Sequence, residues 1–515
     1  MRKVIAIVAL SVFLAGMSGC SQTDKRETSN EEIVTDSSNP NNMAAENTAT
    51  DSPDSDSDKK ADKKSSKNSL RMVSVGEHDC SNENGYYYMD THGDEFELKN
   101  GKIAYHIMYI DYATRKEVFL CNNAGCKHNS EACTSVFTGE NFESGILFLH
   151  NGKLYLLDKA PDDEGASLYN MSDSEDYPGI EFQTHNNDAK QSLYRMNPDG
   201  TDREKVLEFE KGITLDSNVL EDDKGLYFIE KKIESKKQGS KLERSVATKK
   251  KLVKLNDKTG KKETVCDLKF ADKKNTAWSV MGCFDSYLVM EAYVMNRKLS
   301  EEEQIRTIED ADFDREMAKN SKIEFAVVDI TTGQFKKICS FANKVSNSYT
   351  QKDEFLYMII EGENKVRKID LTSGQESILA EIDGVGVCSV FDGKLECVSW
   401  DEEKQKTKYY VNPDNGKIEK KTIDLKAKTT GWPIEYMAET KNQFLVIYDY
   451  KAQKAERDPR DTGDDAYNVE QNKMALLSKE DYYNNKANYK PIAMVGSGGA
   501  EAGVASVVAS SSGAE

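Results

Sequence analysis

The stretch LYRMNPDGTDREKVL, Leu193–Leu207, decides the fold. An apolar alternating strand runs into Asn-Pro-Asp-Gly and then into a polar strand. Gly200 falls where a short hairpin needs a positive φ, which glycine adopts without steric cost. The same unit returns as LVKLNDKTGKKETVC (Leu252–Cys266), FAVVDITTGQFKKIC (Phe325–Cys339), VRKIDLTSGQESIL (Val366–Leu379) and YYVNPDNGKIEKKTI (Tyr409–Ile423), with Gly260, Gly333, Gly374 and Gly416 in the turns. Weaker copies are YIDYATRKEVFLC (Tyr109–Cys121) and MALLSKEDYYNNKANYKPIAMV (Met474–Val495), making seven.

A second unit precedes the last six: a short strand, a polar turn and a more apolar strand. The copies are ILFLHNGKLYLLD (Ile146–Asp158), NVLEDDKGLYFIE (Asn218–Glu230), SVMGCFDSYLVMEAY (Ser279–Tyr293), SYTQKDEFLYMII (Ser348–Ile360), CSVFDGKLECVSW (Cys388–Trp400) and EYMAETKNQFLVIYDY (Glu435–Tyr450). For the first repeat, GYYYMD (Gly85–Asp90) followed by KIAYHIM (Lys102–Met108) is the expected counterpart. Two hairpins per repeat make four antiparallel strands. Seven such repeats imply an all-β, seven-bladed β-propeller over residues 70–495, with six or eight blades as the neighbouring counts and a pair of β-sandwiches as the rival architecture. The units resemble the blades of TolB-like and YWTD-like propellers, and LYRMNPDGT (Leu193–Thr201) carries most of that likeness.

With strands lettered A to D from the axis outward, four blades carry insertions between B and C, at about 158–191, 231–251, 296–321 and 451–473. Every B–C loop emerges on one face of the disc, as does every D-to-A connection. Residues 158–191 hold nine acidic and two basic side chains, residues 231–251 nine basic and two acidic, and residues 299–321 eight acidic and three basic. SEEEQIRTIEDADFDREM starts like a capped helix, with Ser300 as N-cap and Glu303 three residues on. Solvated loops that neutralise one another are one reading. A basic loop that grips an anionic wall polymer or acidic glycan is the other.

The chain opens MRKVIAIVALSVFLAGMSGC. Arg2 and Lys3 are followed by an apolar run, Val4–Met17, too short for a stable bilayer span. Ser18, Gly19 and Cys20 resemble a bacterial lipobox, with Met17 in place of the usual leucine. That resemblance implies a lipoprotein signal peptide over 1–19, lipidation of Cys20 and an address on the extracytoplasmic face of the membrane. Residues 20–69 read as lipidated cysteine plus disordered stalk, because 21–69 hold no Phe, Tyr or Trp and bury too little apolar area to order. The stalk would reach roughly 40 Å. Residues 496–515 read as a flexible low-complexity tail. The net charge of −19 argues against nucleic acid as a partner.

LCNNAGCKHNSEAC, Leu120–Cys133, places Cys121, Cys126, His128 and Cys133 in the connection from blade 1 to blade 2. Three thiolates and an imidazole are a tetrahedral zinc set, so a structural zinc site is one reading. Disulfides, with Cys80 as a further partner, are the other. The cysteines beyond Cys20 number nine, so they cannot all pair within one chain. Cys266, Cys283, Cys339, Cys388 and Cys397 sit in apolar strand patterns and read as small buried hydrophobes. The C-x4-C-x-H-x4-C pattern after a first blade resembles uncharacterised propeller lipoproteins of Gram-positive anaerobes. That likeness implies a structural role and no activity.

No G-x-S-x-G elbow and no sialidase Asp-box is present, which disfavours a propeller peptidase. No catalytic residue is singled out. The function expected is a non-enzymatic surface binding or scaffold protein, anchored through its lipid and acting through the insertion face on a glycan, a wall polymer or another surface protein. The alternative is a glycan-active enzyme with paired carboxylates near the axis.

Overall fold

The computed structural model describes residues 69–75, 78–90, 95–139, 145–160, 165–168, 190–238, 242–270, 276–344, 347–360, 362–400, 406–455, 467–498 and 504–505. Within them are seven antiparallel sheets, one per blade, and three short helices. β1 (Arg71–Val75) precedes the first blade. Blade 1 holds β2 (Asp79–Ser81), β3 (Gly85–Asp90), β4 (Phe96–Glu97), β5 (Ile103–Asp111), β6 (Lys116–Phe119) and β7 (Val136–Phe137). Blade 2 holds β8 (Ile146–His150), β9 (Lys153–Asp158), then β11 (Ser192–Met196) and β12 (Glu204–Glu208). Between them β10 (Gly165–Leu168) joins the neighbouring sheet. Blade 3 is β13 (Thr214–Asp222), β14 (Gly225–Gln238), β15 (Leu242–Leu255) and β16 (Lys262–Leu268).

Blade 4 is β17 (Thr276–Phe284), β18 (Tyr287–Met295), β19 (Ser321–Asp329) and β20 (Gln334–Ala342), with α1 (Glu301–Glu309) and α2 (Ala311–Ala318) between its second and third strands. Blade 5 is β21 (Ser348–Lys352), β22 (Phe355–Ile359), β23 (Lys365–Asp370) and β24 (Glu376–Glu381). Blade 6 is β25 (Val385–Phe391), β26 (Lys394–Trp400), β27 (Lys406–Val411) and β28 (Ile418–Lys421). Blade 7 is β29 (Glu435–Glu439), β30 (Gln443–Lys454) and β31 (Tyr467–Ser478), followed by α3 (Lys479–Tyr483), β32 (Lys490–Pro491) and β33 (Val504–Ala505). The expected hairpins coincide with these pairs in blades 2 to 7. Blade 1 differs: GYYYMD is its second strand and IAYHIMYID its third, and the first strand is the three-residue Asp-Cys-Ser of β2. So short a strand carries no periodicity to read.

The blades close into a ring because every seam is apolar. Leu147, Leu154 and Leu156 meet Tyr87 and Ile107 between blades 2 and 1, and Phe148 and Leu157 meet Val219 and Phe228 between blades 2 and 3. Corresponding clusters join blades 3 to 4, 4 to 5, 5 to 6 and 6 to 7. The last seam joins Tyr86, Met108 and Ile110 of blade 1 to Leu445, Ile447 and Met474 of blade 7. Burying such side chains contributes on the order of 1.5–3 kcal/mol each, and only a closed ring buries both faces of every sheet.

The chain end locks that last seam. Glu117 of β6, 1% exposed, accepts hydrogen bonds from the backbone N–H of Val495 (2.5 Å) and Gly496 (2.6 Å) and from the Tyr88 hydroxyl (2.6 Å). Ser497 Oγ donates to Asp90 at 2.7 Å, and Asn472 donates to the Gly498 carbonyl at 3.0 Å. Residues 496–498 therefore belong to the propeller and not to a free tail. The low-complexity composition of the tail hid this, because the ordering partners lie some 380 residues away.

At the other end, β1 pairs antiparallel with β13, the first strand of blade 3, and also packs against β8 and β17. It fills the axial side of blades 2 to 4. On the axial strands of blades 6 and 7, Val387, Val390 and Tyr436 are exposed. Among the described residues, no helix is long and apolar enough to cross a membrane. The expected leader, the expected lipidation site Cys20 and the expected stalk up to residue 68 lie outside the described residues.

Two of the four expected insertion loops are strand over their described residues. Residues 231–238 and 242–251 belong to β14 and β15, and residues 451–454 and 467–473 extend β30 and β31; 239–241 and 456–466 lie outside the described residues. Paired strands satisfy backbone groups that a loop would leave to water. The 296–321 insertion is helical as expected, with the capping box formed by Ser300 and Glu303. β10 adds to the outer edge of β15, and α1 packs against β10. Insertions from blades 2, 3 and 4 are thus joined on one face.

Candidate metal centre

The chain leaves blade 1 at Phe119 and returns to the same sheet as β7, which pairs with Tyr105 and His106 of β5. The excursion is therefore pinned at both ends to one strand. Short turns fold it back: Cys126 N–H donates to the Asn123 carbonyl at 3.1 Å, Cys133 N–H to Ser130 at 2.9 Å, and Val136 N–H to Cys133 at 3.2 Å. Gly125 at φ +76 and His128 at φ +52 supply the left-handed residues that reverse the chain. Arg203 of blade 2 clamps the return, donating to the carbonyl of Val136 at 2.8 Å and also to that of Thr134.

These turns bring Cys121, Cys126, His128 and Cys133 together, with one donor atom of each within 4.8 Å of all the others. His128 Nδ1 is 3.3 Å from Cys133 Sγ. Bond lengths of about 2.3 Å to sulfur and 2.0–2.1 Å to nitrogen imply tetrahedral edges of about 3.5–4 Å, so a slight contraction seats a metal ion. The cluster can hold one.

Its surroundings hold the imidazole in place. His128 stacks on Phe119 (centroids 4.3 Å, 17°), Phe119 meets the edge of His106 (4.7 Å, 67°), and His106 stacks on Phe96 (4.5 Å, 16°). His106 Nε2 lies 2.7 Å from the His128 carbonyl oxygen. This four-ring ladder fixes the side chain as outer-shell groups do around metals. Burial, with His106 beside it, lowers the His128 pKa and favours the neutral, ligating imidazole. Burial raises the Cys121 thiol, but hydrogen bonds from Asn123, Cys133, Thr134 and Cys126 outweigh it and leave it below its ordinary value. Cys133, the most buried of the set, is pushed up to about 11, chiefly by burial. Cys121 thus ionises more readily than Cys133.

Sequence reasoning missed the ladder. Phe96, His106 and Phe119 lie on three different strands, and only strand register stacks their rings. It also offered Cys80 as a disulfide partner of the loop. The structure places Cys80 in β2 against Tyr87 and Ile107, whereas Cys121, Cys126 and Cys133 share the cluster of Leu98, Ala104 and Val136. The nine described cysteines are free thiols.

A second feature lies by the axis, at the seam of blades 1 and 7. A cavity of about 210 Å³ is lined by His78, Asp79, Tyr86, Tyr88, Glu435 and Met437, among others. Asp79 hydrogen-bonds Tyr86, and Glu435 accepts from Tyr450 at 2.5 Å. The volume is below the 300–1,000 Å³ usual for small-molecule sites.

On the insertion face, β14 and β15 set Lys231 opposite Lys250 and Lys232 opposite Lys249. Lys231 and Lys250 are buried. Lys231 pairs with Asp216 at 3.1 Å, and Lys250 donates to the Trp278 carbonyl at 3.1 Å and lies over its ring at 4.3 Å. Lys232 and Lys249 have side chains 59% and 53% exposed, with their carboxylate neighbours Glu234 and Asp267 at 3.6 and 3.9 Å.

No family model and no curated protein matches the chain. Solved structures that it resembles include a puromycin-hydrolyzing peptidase of Mycobacterium tuberculosis, at 8% identity over 82% of this chain and 53% of that one (TM-score 0.37). They also include an oligogalacturonate lyase in complex with manganese, at 11% identity over 68% and 84% (TM-score 0.32), and TolB from Acinetobacter baumannii, at 11% over 77% and 78% (TM-score 0.26). The chain spans about half the length of the peptidase.

Proposed function

We propose that this protein is a lipid-anchored, extracytoplasmic β-propeller that binds an anionic wall polymer or acidic glycan through its insertion face and catalyses no reaction. The observation that carries the reading is the Lys232–Lys249 pair. Like charges directly opposite on a sheet repel and cost stability, and an anion between them relieves the part of that cost which Glu234 and Asp267, at 3.6 and 3.9 Å, leave. The hairpin that bears them has seven more basic than acidic residues over 231–251 in a chain of net charge −19, so this strip is locally attractive to an anion.

The Cys121–Cys126–His128–Cys133 cluster serves the same head as a structural zinc site. Four protein donors fill a tetrahedral set and leave no open position for substrate. Zinc there would cross-link the blade 1 to blade 2 connection to itself, on the face that carries the insertions. Cys20 is the anchor, and residues 20–69 are the tether.

A glycan-active enzyme is the second reading, favoured by Asp79 and Glu435 at the axial cavity. Against it stand the small volume and the tyrosine partners of both carboxylates. A panel of teichoic acid, polygalacturonate, hyaluronan and neutral dextran, immobilised and exposed to the non-lipidated chain, separates the readings. Retention on the polyanions without release of fragments supports binding. Depolymerisation that Asp79→Asn or Glu435→Gln abolishes would replace it with the enzymatic reading, and no retention on any of the four would remove the polymer partner.

A further inference from the structure

Cys388 of β25 and Cys397 of β26 are directly opposite partners in blade 6, and their sulfurs lie 3.8 Å apart. Both are buried, 4% and 0% exposed, beside Tyr357, Leu395 and Val411. Opposite residues of an antiparallel pair have Cα atoms about 4.5 or 5.5 Å apart, and both spacings fall within the roughly 4.4–6.8 Å that a disulfide spans. The sulfurs need approach by only about 1.8 Å to reach bonding distance. Side-chain rotation supplies that without moving the strands.

We propose that Cys388 and Cys397 form a cross-strand disulfide that staples the first two strands of blade 6 when the chain folds in contact with a small-molecule disulfide. That the chain meets such an oxidant rests on its extracytoplasmic placement; the geometry of the pair does not. One thiolate attacks the small disulfide RSSR and expels RS⁻, leaving a mixed disulfide. The second thiolate attacks the protein sulfur of that mixed disulfide and expels a second RS⁻. Both cysteines are oxidised, RSSR is reduced to two RSH, and the two protons lost by the cysteines end on the two thiols released. In the folded blade the hydrogen bond between the two sulfurs, together with burial, holds the Cys388 thiol well above its ordinary range, and no bulky oxidant reaches it. The bond therefore forms while blade 6 is still open. Once closed, it fixes β25, the inner strand of blade 6, on which Val387 and Val390 are exposed.

The test uses the full chain without its lipid. It is unfolded and reduced, then refolded with zinc in a mixture of reduced and oxidised glutathione. The folded fraction is alkylated in denaturant and digested with trypsin. Lys394 lies between the two cysteines, so the bond joins two separate tryptic peptides. The expected result is the joined pair as the major form, resolving into two peptides on reduction. Both cysteines singly alkylated in the folded fraction, or either joined to another cysteine, would overturn the proposal. A chain that fails to refold is replaced by one secreted into an oxidising periplasm and trapped directly, with the same two outcomes.

Discussion

Replacing Glu117 with alanine tests how the ring is closed. The carboxylate is buried and receives three hydrogen bonds of 2.5–2.6 Å, two from backbone N–H groups of the chain end and one from Tyr88. A hydrogen bond to a charged group contributes about 1.5–3 kcal/mol, and a buried donor left without its acceptor costs about 1–3 kcal/mol. Val495 is 58% exposed, so its N–H regains water and its share is small. The half-buried Gly496 N–H and the buried Tyr88 hydroxyl do not recover as easily. The sum is a loss of about 3–5 kcal/mol. Unfolding entropy of about 2.1 cal/mol/K per residue gives a head of about 425 residues a shift of about 1 °C per kcal/mol, so the melting temperature should fall by about 3–6 °C. Differential scanning calorimetry reads that shift. Limited proteolysis reads its cause, since cleavage near residues 490–498 should accelerate at least tenfold. Glu117→Gln keeps an acceptor and should lose less than half as much. A melting point within 1 °C of wild type for Glu117→Ala, with unchanged cleavage, would show that the chain end does not hold the ring.

Zinc analysis of the chain purified in zinc-containing buffer should give about one ion per chain, and His128→Ala should lose it. Equal metal in both would remove the site. Glu291, 7% exposed, is raised by burial to about 7, against the opposing hydrogen bond from Tyr349. A raised carboxyl stabilises the fold fully below its unfolded value near 4.5 and loses that contribution as pH rises through about 7. Wild type should therefore lose about 3 kcal/mol more than Glu291→Gln between pH 4.5 and 8 in denaturant melts, on the order of 1.4 kcal/mol per pKa unit; parallel profiles would contradict this. Gly416 and Gly260 share the same turn position and a positive φ, but a Cβ at Gly416 would sit 2.1 Å from the Leu379 carbonyl oxygen while at Gly260 nothing lies within 4 Å. Gly260→Ala should cost about 1–2 kcal/mol for the left-handed backbone alone and Gly416→Ala clearly more, and equal losses would refute the contact.

What the sequence discloses follows the range of the interaction. Hairpins of blades 2 to 7 are local, so a turn glycine between an apolar and a polar strand marks them, and the Ser300 capping box is equally local. The four metal donors are legible because thirteen residues contain them. Glu117 and Val495 are not, since their contact crosses the whole ring. Nor is β1, whose Arg71 registers with Glu221 on a strand of another blade. Its stretch RMVSV looks like the end of a polar tether, and only the open inner edge of β13 makes it a strand. The Cys388–Cys397 pair lies between these cases. Both positions are within one hairpin, but facing sulfurs require the register, with its irregularity between Val385 and Val387, to be known.

The most direct measurement is the retention of the non-lipidated chain on immobilised teichoic acid across a salt series, for wild type and for the Lys232→Glu, Lys249→Glu double variant. Both side chains are exposed and on the outer part of a paired hairpin, so the variant should fold with an unchanged circular dichroism spectrum. The account predicts wild-type binding that weakens as ionic strength rises, because exposed charges are screened within about 10 Å at 0.1 M salt, and at least a tenfold loss of affinity in the variant at low salt. Equal binding by the two proteins, or wild-type binding indifferent to salt, would contradict it.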